Sequence, residues 1–257
     1  MIVPKYTDLK ISDEHLSEME SRIHPYSDIV IVPRWDGITN NSTTLREDLW
    51  LLTSRYIEEV RILNGKMIMG NIPVNLPSTY IDWLVDKYLN DGVSSFLIDY
   101  NSRATRGQAN IVRSISKKLE DAELYDESLL FSINMRKTHD IGGISPADDL
   151  LAFTNGLDIL GNLHIGGGDG EDHGPKRVKA FNRTEYTYDT CVGVLESVAK
   201  EIKIANSIQK NEETAAIRHA ISEKGTAYDL LKEKVGAQEY TANAGSRQST
   251  LSFGFNT

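Results

Sequence analysis

The chain has 257 residues, 40% hydrophobic and 25% charged, with a formal net charge of −9, and a sequence pI near 5.2. That length and balance describe a globular chain able to bury one large core or two small ones. The acidic balance argues against holding nucleic acid by bulk charge, which needs clustered Lys and Arg. Cys191 is the only cysteine, which excludes an internal disulfide and a thiolate zinc cage and points to a reducing compartment. No apolar run approaches the ~20 residues of a membrane span, and the first residues lack a charged-then-apolar leader. The expectation is a cytoplasmic protein without membrane contact.

In chain order, short apolar runs alternate with amphipathic stretches. The runs are "DIVIVP" (28–33), "KMIMGNIP" (66–73), "SSFLIDY" (94–100), "LLFSINM" (129–135) and "LDILGNL" (157–163). Each is apolar without strict alternation, the pattern of strands covered on both faces. Between the first two, Leu45, Leu49, Leu52, Tyr56, Val60 and Leu63 mark one face of a helix. Ser78 caps a second helix carrying Ile81, Leu84, Tyr88 and Leu89, and a third carries Ile111, Val112, Ile115 and Leu119. "SPAD" opens a fourth, with Ser145 as N-cap, Pro146 at the first helical position, Asp148 as box partner and Gly156 as closure.

Alternation of this kind implies an α/β fold with parallel strands and right-handed crossovers. Both a (β/α) barrel and an open doubly wound sheet fit. After residue 184 the pattern reads as helical, with "TYDTCVGVLESVAKEIKIANSI" as one long amphipathic helix and shorter ones to about Val235. The expected organisation is a barrel-like domain over 1–183, C-terminal helices over 184–235 and a flexible tail over 236–257.

In parallel α/β folds, ligands meet the C-terminal ends of strands. The polar residues there are Arg34, Trp35 and Asp36; Asn71 and Asn75; Asp99, Tyr100 and Asn101; Asn134 and Arg136; and Asn162 and His164. Asp36 and Asp99 can each serve as acid, base or acceptor for a ligand N–H, or cap a local turn. Asp158 falls inside a strand, facing a barrel interior or pairing with a cation. His164 reads as a packed residue or a site residue. The loop 166–170, "GGGDG", lacks the spacing of a dinucleotide fingerprint and the Lys-Ser/Thr of a P-loop, and reads as a hinge or lid. "DGEDH" has no fixed metal-ligand template, so neither a metal nor a cofactor is expected. "GPKRVKAF" (174–181) is the densest basic stretch, either a strip for phosphates or a solvated loop.

The order of these pieces resembles the tRNA-guanine transglycosylase family. "SDIVIVPRWDGIT" resembles S-D-I-V-x-A-F-D-E-C, with Asp36 on its base-binding aspartate. "MIMGNIPVNLPSTYIDWLVDKYLNDGVSSFLID" resembles the strand-helix-strand from F-G-I-x-Q-G to G-F-D-G-Y-A-I-G-G. "SPADDLLAFTNGLDILGNLHIGG" resembles T-P-E-D-I-L-x-x-V-x-x-G-x-D-M-F-D-C, and "RVKAFNRTEYTYDTC" the late strand before the C-terminal helices. Together these cover roughly residues 27 to 235. The chain departs from the family at its chemistry. The nucleophilic second aspartate of D-M-F-D-C falls on Gly161, the glutamine of F-G-I-x-Q-G falls near Pro73, D-S-G-G-F is missing, and the zinc site has only Cys191 as a remnant.

The resemblance implies a TIM-type (β/α) barrel, open to a reduced strand number, with a C-terminal helical region. It implies a transglycosylase-like enzyme acting on a guanine or 7-deazaguanine base, in nucleic acid or as a nucleoside. Asp99, Asp158 and His164 are then the catalytic candidates, and Asp36, Trp35, Asn71, Asn134, Arg136 and Asn162 the substrate-binding ones. One alternative is a barrel without catalysis, acting as a binding or partner subunit in a homodimer or a hetero-oligomer with a catalytic chain. Another is an unrelated barrel enzyme acting on a small phosphorylated substrate.

Overall fold

A computed structural model describes residues 5–6, 14, 17–18, 21–22, 24–35, 43–63, 66–136, 145–162, 177–224 and 227–237. The chain divides into two compact units. One comprises residues 1–103, 110–135 and 157–161; the other comprises 104–109, 136–156 and 162–257.

The first unit is built on the five apolar runs. They become β2 (Ile29–Ile31), β4 (Met67–Pro73), β5 (Ser95–Asp99), β6 (Leu130–Met135) and β7 (Ile159–Asn162). These lie side by side in chain order as one parallel sheet, curled like half of a barrel. The expected TIM-type barrel, open to a reduced strand number, is seen among the described residues as a half-barrel of five parallel strands. A further two-residue parallel pairing joins β1 (Lys5–Tyr6) to β3 (Arg34–Trp35).

Both faces of the sheet are covered. On one, Ile31, Met69, Leu97 and Ile133 form an apolar cluster. Crossover helices α1 (Thr43–Leu63), α2 (Ser78–Asn90) and α3 (Ala109–Asp121) link the strands. They bury Tyr56, Ile57 and Val60; Tyr80, Ile81, Leu84, Val85 and Tyr88; and Val112, Ile115 and Leu119. Gly70 leaves room for two rings, because a Cβ there would lie 3.0 Å from Tyr88 of α2 and Phe96 of β5. Ser78 is not the cap of α2 but its first residue. Pro77 holds the cap position without a side-chain bond, since its fixed φ sets the chain for helix entry.

The second unit differs from the sequence expectation in two places. The stretch read as the start of a long helix is instead β9 (Thr187–Val192), paired antiparallel with β8 (Arg177–Asn182). Its Thr, Tyr and Val residues favour an extended chain, and Gly193, at φ +73°, turns it into α5 (Glu196–Lys224). The helix at "SPAD" is also shorter than its caps suggest. It comprises α4 (Asp148–Leu151) and a 3-10 turn (Ala152–Asn155), closed by Gly156 at φ +101°. Residues 145–147 are drawn into the hairpin instead. The Ser145 carbonyl accepts from the Tyr188 N–H at 2.6 Å and Ala147 N–H donates to the Tyr186 carbonyl at 2.9 Å. Ser145 Oγ takes Lys179 Nζ at 2.6 Å, so tertiary partners displace the capping role.

The core of this unit gathers Leu150, Leu151, Phe181, Tyr186, Tyr188 and Ile217 with Leu231 of α6 (Tyr228–Leu231). Two buried carboxylates lock hairpin to helix. Asp149 accepts from Tyr188 Oη at 2.6 Å and Lys210 Nζ at 3.0 Å; Glu213 accepts from Tyr186 Oη and Arg183 Nε. A final turn (Val235–Ala237) packs against the hairpin bend, with Gly236 and Ala237 buried. Gly236 is required there, because a Cβ would overlap the Tyr186 carbonyl. The expected tail thus begins as packed structure, and 238–257 lie outside the described residues. No helix among the described residues is long and apolar enough to cross a membrane.

Candidate functional site

The five residues of β5 are all buried, and the strand ends on Asp99, 1% exposed. A buried carboxylate is tolerated only when its oxygens are paired. Here Oδ1 accepts from the Asn101 backbone N–H at 2.8 Å and from Asn134 Nδ2 at 2.9 Å. Oδ2 accepts a salt-bridging bond from Arg34 Nη1, from the chain just after β2. Arg34 Nη2 also reaches Asn101 Oδ1 at 3.4 Å.

Three left-handed residues surround this carboxylate: Asn101 at φ +47°, Ser102 at +62° and Asn134 at +53°. Asparagine enters that region at lower cost than most residues. The bends bring the loop after β5 onto the end of β6, where Ser102 N–H donates to the Asn134 carbonyl at 3.0 Å. The structure thus brings together Asp99, Asn134 and Arg34, three of the strand-end residues that the sequence singles out.

Arg34 also lines a pocket where β2 and β4 part, walled by α1 and α2. Its cavity volume is about 20 Å³, room for about one water molecule. Trp50 and Thr53 come from α1, Tyr80, Trp83 and Tyr88 from α2, and Asn71 from β4. The rings pack edge to face: Trp50 against Tyr88 at 5.4 Å and 81°, and against Trp83 at 6.5 Å and 80°. Tyr88 Oη accepts the Asn71 backbone N–H at 3.3 Å.

Asn71 is the unusual member. It is 3% exposed, and neither its amide oxygen nor its amide nitrogen has a hydrogen-bond partner. Buried amides are otherwise nearly always paired. The pocket phenols are held neutral: burial pushes Tyr80 up to about 12 against the pull of nearby Arg46. Burial moves Tyr88 further above its ordinary value, only partly offset by its bond from Asn71. They offer hydroxyls and ring faces, with no phenolate chemistry near neutral pH.

The other expected residues lie elsewhere. Asp158 precedes β7, at the opposite edge of the sheet from the strand C-termini. Its N–H donates to the Leu130 carbonyl at 2.9 Å, and its Oδ2 accepts the Leu130 N–H at 2.9 Å. It pins the start of β7 to the start of β6. Arg136 is exposed and bridges to Ala104 within the second unit. Trp35 and Asn162 end their strands, and their side chains are outside the described set. Asp36, His164, the glycine loop 166–170, "DGEDH" and Lys176 lie outside the described residues. Among the described residues no three His, Cys, Asp or Glu side chains converge as a metal site would.

Sequence reasoning missed the four pocket aromatics. Trp50, Tyr80, Trp83 and Tyr88 sit on helix faces, where such spacing reads as core. Only a free-standing polar residue among them, Asn71, marks the wall as more than core. No protein-family model matches the chain, and no curated protein sequence matches it.

Proposed function

We propose that this chain is a transglycosylase-like half-barrel that binds a guanine-type base without base-exchange chemistry, serving as a binding or partner subunit in nucleic-acid modification. The observation that carries this reading is the surroundings of Gly161. The resemblance puts the nucleophilic carboxylate at this position, and covalent exchange needs that group free to attack the sugar carbon. A Cβ at Gly161 would lie 2.5 Å from the Ser132 carbonyl oxygen and 3.4 Å from Ile133 Cα. Both belong to the backbone of the neighbouring strand and cannot swing aside, so the fold selects glycine there.

Asp99 supports the same reading. Both its oxygens are engaged by Arg34, Asn101 and Asn134, an arrangement that positions neighbours rather than attacks a substrate. Asp158 is likewise engaged, by backbone at the far strand edge.

The test is exchange of radiolabelled guanine into guanine-containing tRNA, DNA and guanosine, with denaturing gels for a protein–nucleic-acid adduct. The expected result is neither incorporation nor adduct at any enzyme concentration tried. Turnover, or a trapped covalent species, overturns the reading and restores the catalytic one.

A further inference from the structure

We propose that Asn206 of α5 stands in for a neighbouring strand on the outer edge of β8, and that this edge, once the amide withdraws, pairs with β8 of a second copy of the chain. The inference is independent of the base-binding reading. β8 gives one edge to β9, with Ala180 opposite Asp189 and Phe181 opposite Tyr188. On the other edge, Asn206 Nδ2 donates to the Lys179 carbonyl at 2.7 Å, and Asn206 Oδ1 accepts the Phe181 N–H at 2.8 Å. An amide that brackets Ala180 in this way makes the two bonds that one residue of a parallel strand would make.

An open strand edge recruits other strands, so proteins cover or block it. The far side of the hairpin is covered by main chain, where Tyr188 N–H donates to the Ser145 carbonyl and Ala147 N–H to the Tyr186 carbonyl. The β8 side is blocked by a side chain. Asparagine forms helix less readily than alanine, so its two bonds, and not propensity, account for its place in the middle of α5.

The seating of α5 lets the block lift. Ile217, Ala220 and Ile221 join the apolar core of this unit, and no described residue from 196 to 209 does. Lys210 and Glu213 anchor the middle of the helix. Before them, α5 buries Ala199 and leaves Val198, Ile204 and Ile208 exposed. The two bonds of Asn206 therefore carry much of the attachment of that half.

The atoms that Asn206 satisfies also choose the partner. In an antiparallel pair with a two-fold axis at Ala180, Lys179 faces Phe181 of the second copy. Each Lys179 carbonyl then accepts the Phe181 N–H of the other copy, so the same two groups are satisfied between chains.

The test compares the full-length wild type with Asn206→Ala, which removes the amide and favours the helix. Tyr188→Phe is the control, because it weakens the same unit at Asp149 and leaves Asn206 in place. Sedimentation velocity over a concentration series reads association, and hydrogen exchange by NMR reads the Phe181 amide. Asn206→Ala is expected to dimerise at least about tenfold more tightly than wild type, the scale of two restored backbone bonds. At low concentration its Phe181 amide should exchange about tenfold faster than in the wild type, and regain protection as the dimer forms.

Association no tighter than wild type overturns the proposal, as does equal tightening in Tyr188→Phe, which would trace it to general loosening. A Phe181 amide that stays fast in the dimer overturns the assignment to β8. Asn206→Leu, of similar size, replaces the alanine variant in both measurements if that variant does not fold. In the wild type, Phe181 exchange about a hundredfold faster than that of Ala180 overturns the block whatever the variants do.

Discussion

At Asp99 a single side chain ties together three separate parts of the chain. Its oxygens gather Arg34, Asn101 and Asn134, and its burial makes each bond consequential. Removing the charge leaves Arg34 with a neutral amide in a nearly dry place, and breaking such pairs costs about 3 kcal/mol or more. Asp99→Asn is therefore expected to lower the stability of the half-barrel by about that amount, read by urea denaturation. It should also loosen Arg34 at the pocket mouth. Unchanged stability would show that the carboxylate is not the organiser the geometry describes. The sequence marked Asp99 as a catalytic candidate because it ends an apolar strand. The number of its bonds was hidden, since its partners lie 65, 2 and 35 residues away.

Among the elements, the β8–β9 hairpin and helix α5 hold each other through polar contacts in a buried setting. Tyr188 Oη donates to both Asp149 oxygens, at 2.6 and 2.7 Å, and Lys210 closes the set at 3.0 Å. A hydrogen bond to a charged group contributes about 1.5–3 kcal/mol. Tyr188→Phe is expected to cost about 2 kcal/mol on that scale, while Asp149 keeps Lys210 and the Leu150 N–H. Lys210→Met should cost more, about 3 kcal/mol, because it removes a cation from a buried carboxylate. Denaturation followed by tyrosine near-UV signal measures both, and the reverse order of costs would show that the lysine is held mainly by solvent. In the sequence, β9 and the start of α5 form one continuous stretch without proline, so periodicity alone ran them together. Pairing with Arg177–Asn182 and the turn at Gly193 separate them.

For the whole molecule, six buried or half-buried tyrosines set the alkaline limit. Burial pushes Tyr80 up to about 12, and burial, reinforced by the Asp158 carboxylate, does the same to Tyr125. Tyr88, Tyr100, Tyr186 and Tyr188 are driven higher still, first by burial. A folded pKa raised above the unfolded value of about 10 means that the neutral phenol is favoured in the fold. Its contribution is complete below pH ~10 and is lost as pH climbs through the folded value. Urea midpoints are accordingly expected to fall between about pH 10 and pH 12. Tyr80→Phe and Tyr125→Phe should each shallow that fall. A midpoint that already declines between pH 7 and 9 would assign the loss to other groups.

The sequence by itself determined the parallel sheet: five apolar runs became five neighbouring strands in chain order, the first four joined by the three helices that their periodicity marks. Those features are local, since burial on both faces and one-sided helical burial each leave a short repeating pattern. That the sheet curls into half a barrel was decided by the tertiary structure. Tertiary structure alone decided what lies between elements. It drew Ser145 and Pro146 into the hairpin instead of a helix cap, and packed Gly236 under a carbonyl. It saturated Asp99, and it left Asn71 unpaired in a wall of aromatic rings. Each depends on which atoms from distant parts of the chain meet, and the free energy of those meetings is written in no single stretch of residues.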